Sequence, residues 1–136
     1  MNFPKELLYN KEYSWVRVIK GYAEVGVNEQ LTSSVKEIVF VELPKKNRTI
    51  KKGDIYLSLE SVKWSGHLPS PVSGVIVEVN EELLDQPSLI NKRPYKSWVM
   101  RVKLSNTGEL RELLDAEQVM IQLCCPLKTN KGDGNG

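Results

Sequence analysis

Two stretches of alternating apolar and polar residues constrain this chain more than any other feature. In the first, Ile55, Leu57 and Leu59 share one parity, and Tyr56, Ser58 and Glu60 the other. In the second, which opens at Ser73-Gly74, Val75, Val77 and Val79 alternate with Ile76 and Glu78. A period of two is the period of a strand, because successive side chains leave the backbone on opposite sides; each stretch therefore reads as a half-buried strand. Between them lies a central segment, 60–70, with Gly53 ten residues before Lys63 and Gly74 eleven after it. That spacing reads as two related halves meeting at a turn near Lys63, and no longer repeat is present.

The remaining chain supplies more short strands. Trp15-Val16-Arg17-Val18 and Ala23-Glu24-Val25-Gly26-Val27 alternate around Lys20-Gly21, which predicts a hairpin. Asn28 is placed to cap a short helix through Leu31 to Val35, after which Ile38-Val39-Phe40-Val41-Glu42-Leu43 reads as a strand closed by Pro44. Lys45-Lys46-Asn47-Arg48 reads as a solvated basic turn. Asn80 begins a helical stretch, Glu81-Glu82-Leu83-Leu84, limited by Pro87, and residues 98–104 form a further strand. Ser105 or Asn106 is placed to cap a helix carrying Leu110, Leu113 and Leu114. Asp115 caps a last one with Val119, Met120 and Leu123 on one side.

At 136 residues, 40% hydrophobic and 26% charged, this is one domain. We expect it to span 1–127, with the polar, glycine-rich 128–136 as a disordered tail. The predicted core is Val16, Val18, Val25, Val27, Val39, Val41, Leu57, Leu59, Val75 and Val77, shared between two sheets of a small mainly β sandwich.

Composition narrows function as well. Nineteen basic against seventeen acidic residues give a net charge of +2, with both signs interspersed, so no nucleic-acid footprint is indicated. No apolar run reaches the roughly 18 residues of a membrane span, and the N-terminus lacks a signal-peptide pattern, so the expected compartment is the cytoplasm. His67 is the sole histidine. Cys124 and Cys125 are adjacent, without the spacer of a zinc knuckle, and read as small residues ending a helix. With so few catalytic side chains, any chemistry here needs an added group. Taken alone, Lys63 is a solvated turn lysine, although a turn between two packed strands is also a rigid pedestal for a flexible arm.

Glu60-Ser61-Val62-Lys63, together with Trp15-Val16, Val25-Gly26-Val27, residues 38–44, Ser70-Pro71-Val72-Ser73-Gly74, Val77-Glu78-Val79-Asn80 and Leu113-Leu114-Asp115-Ala116, resembles the H-protein of the glycine cleavage system. The likeness runs from about residue 9 to 119. It implies a lipoyl/biotinyl-carrier-type flattened β-barrel sandwich with short peripheral and C-terminal helices, a non-catalytic carrier, and lipoic acid in amide linkage to Lys63. Glu60, Ser61 and Val62 would complete the lipoylation motif, with Glu60 read by the attaching enzyme. Biotin carriers flank their lysine with methionines, whereas Val62 and Trp64 stand here.

The resemblance further implies that the arm shuttles an aminomethyl group and reducing equivalents. Its partners would be a pyridoxal-phosphate glycine decarboxylase, a tetrahydrofolate-dependent aminomethyltransferase and dihydrolipoamide dehydrogenase. A lipoate ligase or lipoyl transferase would install the cofactor. Departures from the family pattern cluster around the cleft that receives the arm: Tyr13-Ser14 replaces a His-Glu pair before Trp15, Trp64 replaces an alanine, and His67 replaces an acid. Val35-Lys36-Glu37 stands for Leu-Gly-Asp/Glu, and a glycine before Trp98 is missing from a shortened loop, Tyr95-Lys96-Ser97. Glu12, Ser14, Trp64 and His67 are thus the candidate cleft residues. Losing carboxylates there removes favourable charge for a cationic cargo. This keeps open a specialised H-protein-like carrier of another pathway, such as sulfur oxidation with a heterodisulfide-reductase-like complex. An unmodified adaptor is a further alternative, against which the intact motif argues.

Overall fold

A computed structural model describes residues 2–124. The described residues form nine strands: β1 (Leu8–Tyr9), β2 (Ser14–Ile19), β3 (Tyr22–Val27), β4 (Ile38–Glu42), β5 (Thr49–Ile50), β6 (Ile55–Ser61), β7 (Ser65–Pro69), β8 (Gly74–Val79) and β9 (Met100–Leu104). Short helices decorate them: α1 (Glu29–Val35), α2 (Glu82–Asp85), α3 (Leu89–Lys92), a 3-10 turn over Thr107–Glu112, and α4 (Ala116–Cys124). All pairings are antiparallel, in a six-stranded sheet ordered β1-β2-β3-β9-β8-β5 and a three-stranded sheet ordered β4-β6-β7. This is the mainly β sandwich that the alternation predicts. Among the described residues no helix is long and apolar enough to cross a membrane.

The core between the sheets contains Val16, Ala23, Val25, Val41, Leu57, Leu59, Ile76 and Val102, all buried. A second cluster, Phe3, Leu7, Tyr9, Trp15, Ala116 and Val119, ties the N-terminal segment to α4. Trp15 is fully buried there. Its indole Nε1 donates to the carbonyl of Pro94 at 2.8 Å, and its ring lies where a Cβ on Gly26, its cross-strand neighbour, would stand 2.5 Å away.

Four members of the expected core are misplaced. Val18 is exposed because β1 pairs β2 only at Trp15 and Val16, which leaves Val18 on a bare sheet edge. A register shift between Ile38 and Phe40 turns Val39 outward beside Phe40. In β8 it is Ile76, in a buried row with Val102 and Ala23, that points inward, so Val75 is exposed and Val77 only half-buried. Another shift, between Ile55 and Leu57, exposes Ile55 and buries Tyr56.

The helix termini follow their caps. The Asn28 side chain accepts from Leu31 N, and Asp115 and Gln118 cap each other's backbone N–H groups at 2.8 and 2.9 Å. Asn106 caps a 3-10 turn that ends at Glu112, so Leu113 and Leu114 fall beyond it, in extended chain that bridges back to Tyr9. On α4, Val119 is buried but Met120 is exposed. Cys124 ends that helix. Cys125 and the expected tail, 128–136, lie outside the described residues.

Candidate functional site

Lys63 occupies the tip of the β6–β7 hairpin. Ser61 N donates to the Trp64 carbonyl at 2.8 Å, which leaves only Val62 and Lys63 outside the ladder. Both are exposed, Val62 to 84%. The return arm is β7, whereas the second alternating stretch, β8, belongs to the other sheet. At its base the hairpin is tied by Gly53 N to the Ser70 carbonyl at 2.9 Å and Ser70 N to the Asp54 carbonyl at 2.7 Å. Among the described residues no carboxylate lies within ion-pairing distance of the Lys63 ammonium. The amine is therefore free to be acylated, on a stem fixed at both ends. Neutralising it by amide formation breaks no ion pair among those residues.

The two faces of the hairpin differ. Inward, Leu57, Leu59 and Ser61 are buried, and the half-buried indole of Trp64 packs against the core. Trp64 lies across Gly66 so closely that a Cβ there would stand 2.4 and 2.6 Å from ring atoms Cζ2 and Cη2. Only glycine leaves room for the ring in that position. The Ser61 hydroxyl is buried without a hydrogen-bond partner among the described residues. A shallow depression of about 230 Å³ at the tip is lined by Glu60, Ser61, Val62, Lys63, Trp64 and Ser65.

Outward, two rows cross the three-stranded sheet: Phe40–Glu60–Ser65 next to the turn, and Glu42–Ser58–His67 behind it. His67 is exposed, and its Nδ1 is 2.8 Å from the Ser58 hydroxyl.

The other cleft candidates lie elsewhere. Glu12 is exposed in the turn before β2, where Asn10 Oδ1 accepts from the backbone N–H of both Glu12 and Ser14, and Tyr13 takes a positive φ of 77°. Ser14 is fully buried, and its Oγ makes a 2.6 Å hydrogen bond with the Tyr56 hydroxyl. Burial drives the Tyr56 phenol far above its ordinary pKa, so it is neutral. Among the described residues no hydrogen bond or ion pair joins Glu12 or Ser14 to Lys63 or His67. The hairpin gathers Glu60, Ser61, Val62, Lys63 and Trp64, and leaves Ser14 as a core residue.

Sequence comparison decides the family. The family model for the glycine cleavage H-protein matches residues 7–124. The chain belongs to the glycine cleavage H-protein family. It is 44% identical over 119 residues to the glycine cleavage system H protein of one Staphylococcus epidermidis strain, covering 87% of this chain and 94% of that one, and 43% identical to that of a second strain over the same span. The crystal structure of a glycine cleavage system H protein from Mycobacterium marinum superposes with a TM-score of 0.81 at 29% identity, covering 90% of this chain and 99% of that chain. The architecture is the family's lipoyl-domain barrel sandwich.

Within that family frame three residues of the site had escaped notice in the sequence. Gly66 is needed by Trp64, a dependence readable from a glycine two residues after a tryptophan on one face of a strand. Tyr56 holds Ser14, and the strand bulge that turns it inward left no sequence signal. Phe40 stands in the open beside Glu60, and a strand read simply as alternating gave it no role.

Proposed function

We propose that this chain is the lipoyl carrier of a glycine cleavage system, with lipoate attached to Lys63. The observation that carries the reading is the placement of Glu60-Ser61-Val62-Lys63 at the exposed tip of a rigid hairpin, in a chain of this family. Lipoate, once attached, supplies a dithiolane that takes up an aminomethyl group and electrons and gives them up to successive enzymes. The chain contributes position. The β6–β7 ladder and the Trp64–Gly66 contact fix the base of the stem, and the four methylenes of Lys63 add reach, so a tethered group meets several active sites at high effective concentration.

No acid or base of the chain is needed at the tip. His67 is the sole histidine of the sequence, and this scarcity of catalytic side chains is consistent with a carrier whose chemistry comes from the attached group. Partners consistent with the reading are the pyridoxal-phosphate glycine decarboxylase, the tetrahydrofolate-dependent aminomethyltransferase, dihydrolipoamide dehydrogenase, and a lipoate ligase or lipoyl transferase. The cytoplasm remains the expected compartment. Near-full-length identity to named glycine cleavage H proteins favours this reading over a sulfur-oxidation carrier or an unmodified adaptor.

Glu12, Trp64 and His67 remain candidates for contact with the arm, and Trp64 is the one of them that lines the depression at Lys63. Ser14 would act only indirectly, through the Tyr56 contact that anchors the start of β2. The test is reconstitution: lipoylated wild type should support glycine-dependent reduction of the dehydrogenase by a complete set of partner enzymes, and Lys63→Arg should not. Support by Lys63→Arg would exclude Lys63 as the carrier residue.

A further inference from the structure

We propose that the outward row of the three-stranded sheet beside the turn, Phe40 and Glu60 with Val62 at the tip, is the docking surface for the enzyme that acylates Lys63. The inference rests on the reading of Lys63 as the lipoylated residue and adds to it the surface through which that residue is recognised. It starts from an exposure that the fold does not require. Phe40 is 53% exposed, Val39 50% and Val62 84%, although the neighbouring positions Ile38 and Val41 of the same strand are buried. The register shift between Ile38 and Phe40 turns two consecutive large apolar side chains outward. Phe40 stands directly across from Glu60, and Glu60 across from Ser65, so the three share one face and end one step from the turn.

Geometry selects the occupant. An enzyme that serves the finished arm meets the dithiolane at the end of a long tether and can stand off from the hairpin. The acylating enzyme must bring Nζ itself to the reacting carbon, with only the lysine stem between that atom and the backbone. It therefore has to press on the turn and on whichever face of the hairpin is open. The inward face is closed, because Leu57, Leu59 and Ser61 are buried and Trp64 lies over Gly66. Only the tip and the outward face remain, and the large apolar groups there nearest the turn are Val62, Phe40 and Val39, with Ile55 at the far end of β6.

The partner surface this face fits is an apolar pocket for the Phe40 ring with a cationic group for the Glu60 carboxylate, an anchor of the kind that dominates interface energies. In the reaction served, the Lys63 amine, having lost one proton, attacks the carbonyl carbon of an activated lipoyl donor such as an acyl adenylate. The C–N bond forms, the bond from carbon to the phosphate oxygen breaks to release the nucleotide monophosphate, and the nitrogen loses a second proton.

The experiment uses the full unmodified chain with a lipoate-protein ligase, lipoate and ATP, and reads the initial acylation rate by intact mass. Phe40→Ser should lower kcat/KM by about tenfold or more, with its melting temperature close to wild type because the ring is exposed. Tyr22→Ser, which removes an exposed aromatic from the other sheet, should acylate at the wild-type rate. The Phe40→Ser protein, driven to full lipoylation with excess ligase, should then be loaded by glycine decarboxylase within about twofold of wild type.

Acylation of Phe40→Ser at the wild-type rate would overturn the proposal. So would a loss confined to the decarboxylase assay, or equal in both assays, since the surface would then serve another partner. A wild type that is not acylated at Lys63 would remove the reading of that residue and the docking surface with it, whereas acylated wild type with an undiminished variant removes the docking surface alone.

Discussion

Gly66→Ala tests whether Trp64 is a fixed part of the hairpin that carries Lys63. The added Cβ would lie 2.4 Å from Cζ2 of the indole, about 1 Å inside an ordinary carbon contact. Two responses are open. The strand and ring can strain in place, which for overpacking costs about 1–3 kcal/mol. Alternatively the ring swings off Gly66 and loses its packing; full burial of an aromatic is worth roughly 1.5–3 kcal/mol, so a half-buried ring forfeits about half of that. The cheaper response bounds the loss, so about 1–1.5 kcal/mol is expected, read from urea denaturation at constant m-value.

The sharper expectation concerns the Trp64→Ala background. Gly66 lies in strand β7 and is not at a positive φ. With the ring gone, the three atoms nearest that methyl group are removed and it mainly restricts the unfolded chain, so Gly66→Ala should stabilise by about 0.4–1 kcal/mol. The sign of the substitution therefore reverses between backgrounds, with a coupling on the order of 2 kcal/mol. Equal effects in the two backgrounds, or a stabilised Gly66→Ala single variant, would refute the Trp64–Gly66 contact.

Other expectations are independent of that contact. Tyr56→Phe strands the buried Ser14 hydroxyl and should cost about 1–3 kcal/mol, whereas Ser14→Ala leaves the Tyr56 phenol its longer bond to the Gly26 carbonyl at 3.4 Å and should cost less, and the double variant should lose clearly less than the sum; strict additivity in denaturation would remove the hydrogen bond from the account. At alkaline pH the sign follows from burial, which raises the phenol pKa values of Tyr9, Tyr56 and Tyr95, the last from 10.0 to about 12. Their contribution to stability is complete below the unfolded value near 10 and is lost as pH rises through the folded values, so the melting temperature should be level to about pH 9 and fall above about pH 10. A melting temperature unchanged to pH 11.5 would contradict it. Lys63→Ala, at an exposed position without an ion pair among the described residues, should stay within about 0.5 kcal/mol of wild type in stability; unfolding of that variant would mean that the hairpin depends on its lysine.

The strands were legible wherever the period of two ran unbroken, as at Val16, Val25, Val27, Leu57 and Leu59. Reading failed where the ladder slips. The shifts at Ile38/Phe40 and Ile55/Leu57 each reverse the face of a residue without changing its chemistry, so Val39 and Ile55 came out where the pattern put them in. Val75 falls to the same cause: a third shift, between Ile76 and Glu78, puts Ile76 inward before the slip and Val79 against the core after it, so the Val75 parity holds only beyond the bulge. At the site, the motif around Lys63 points to the exposed turn where the structure has it, whereas the burial of Ser14 was not legible, because a small polar residue before Trp15 carries no mark of the buried tyrosine, Tyr56, that claims it.

The central claim is that Lys63 carries the lipoyl arm of glycine cleavage. Its most direct test is intact mass with peptide mapping on protein recovered from its native cells, followed by incubation with glycine and glycine decarboxylase. The account predicts one lipoyl-sized addition, confined to the peptide containing Lys63, and a second increment corresponding to the aminomethyl group after incubation. An unmodified Lys63, a lipoyl group on another lysine, or a lipoylated chain that the decarboxylase does not load would contradict it.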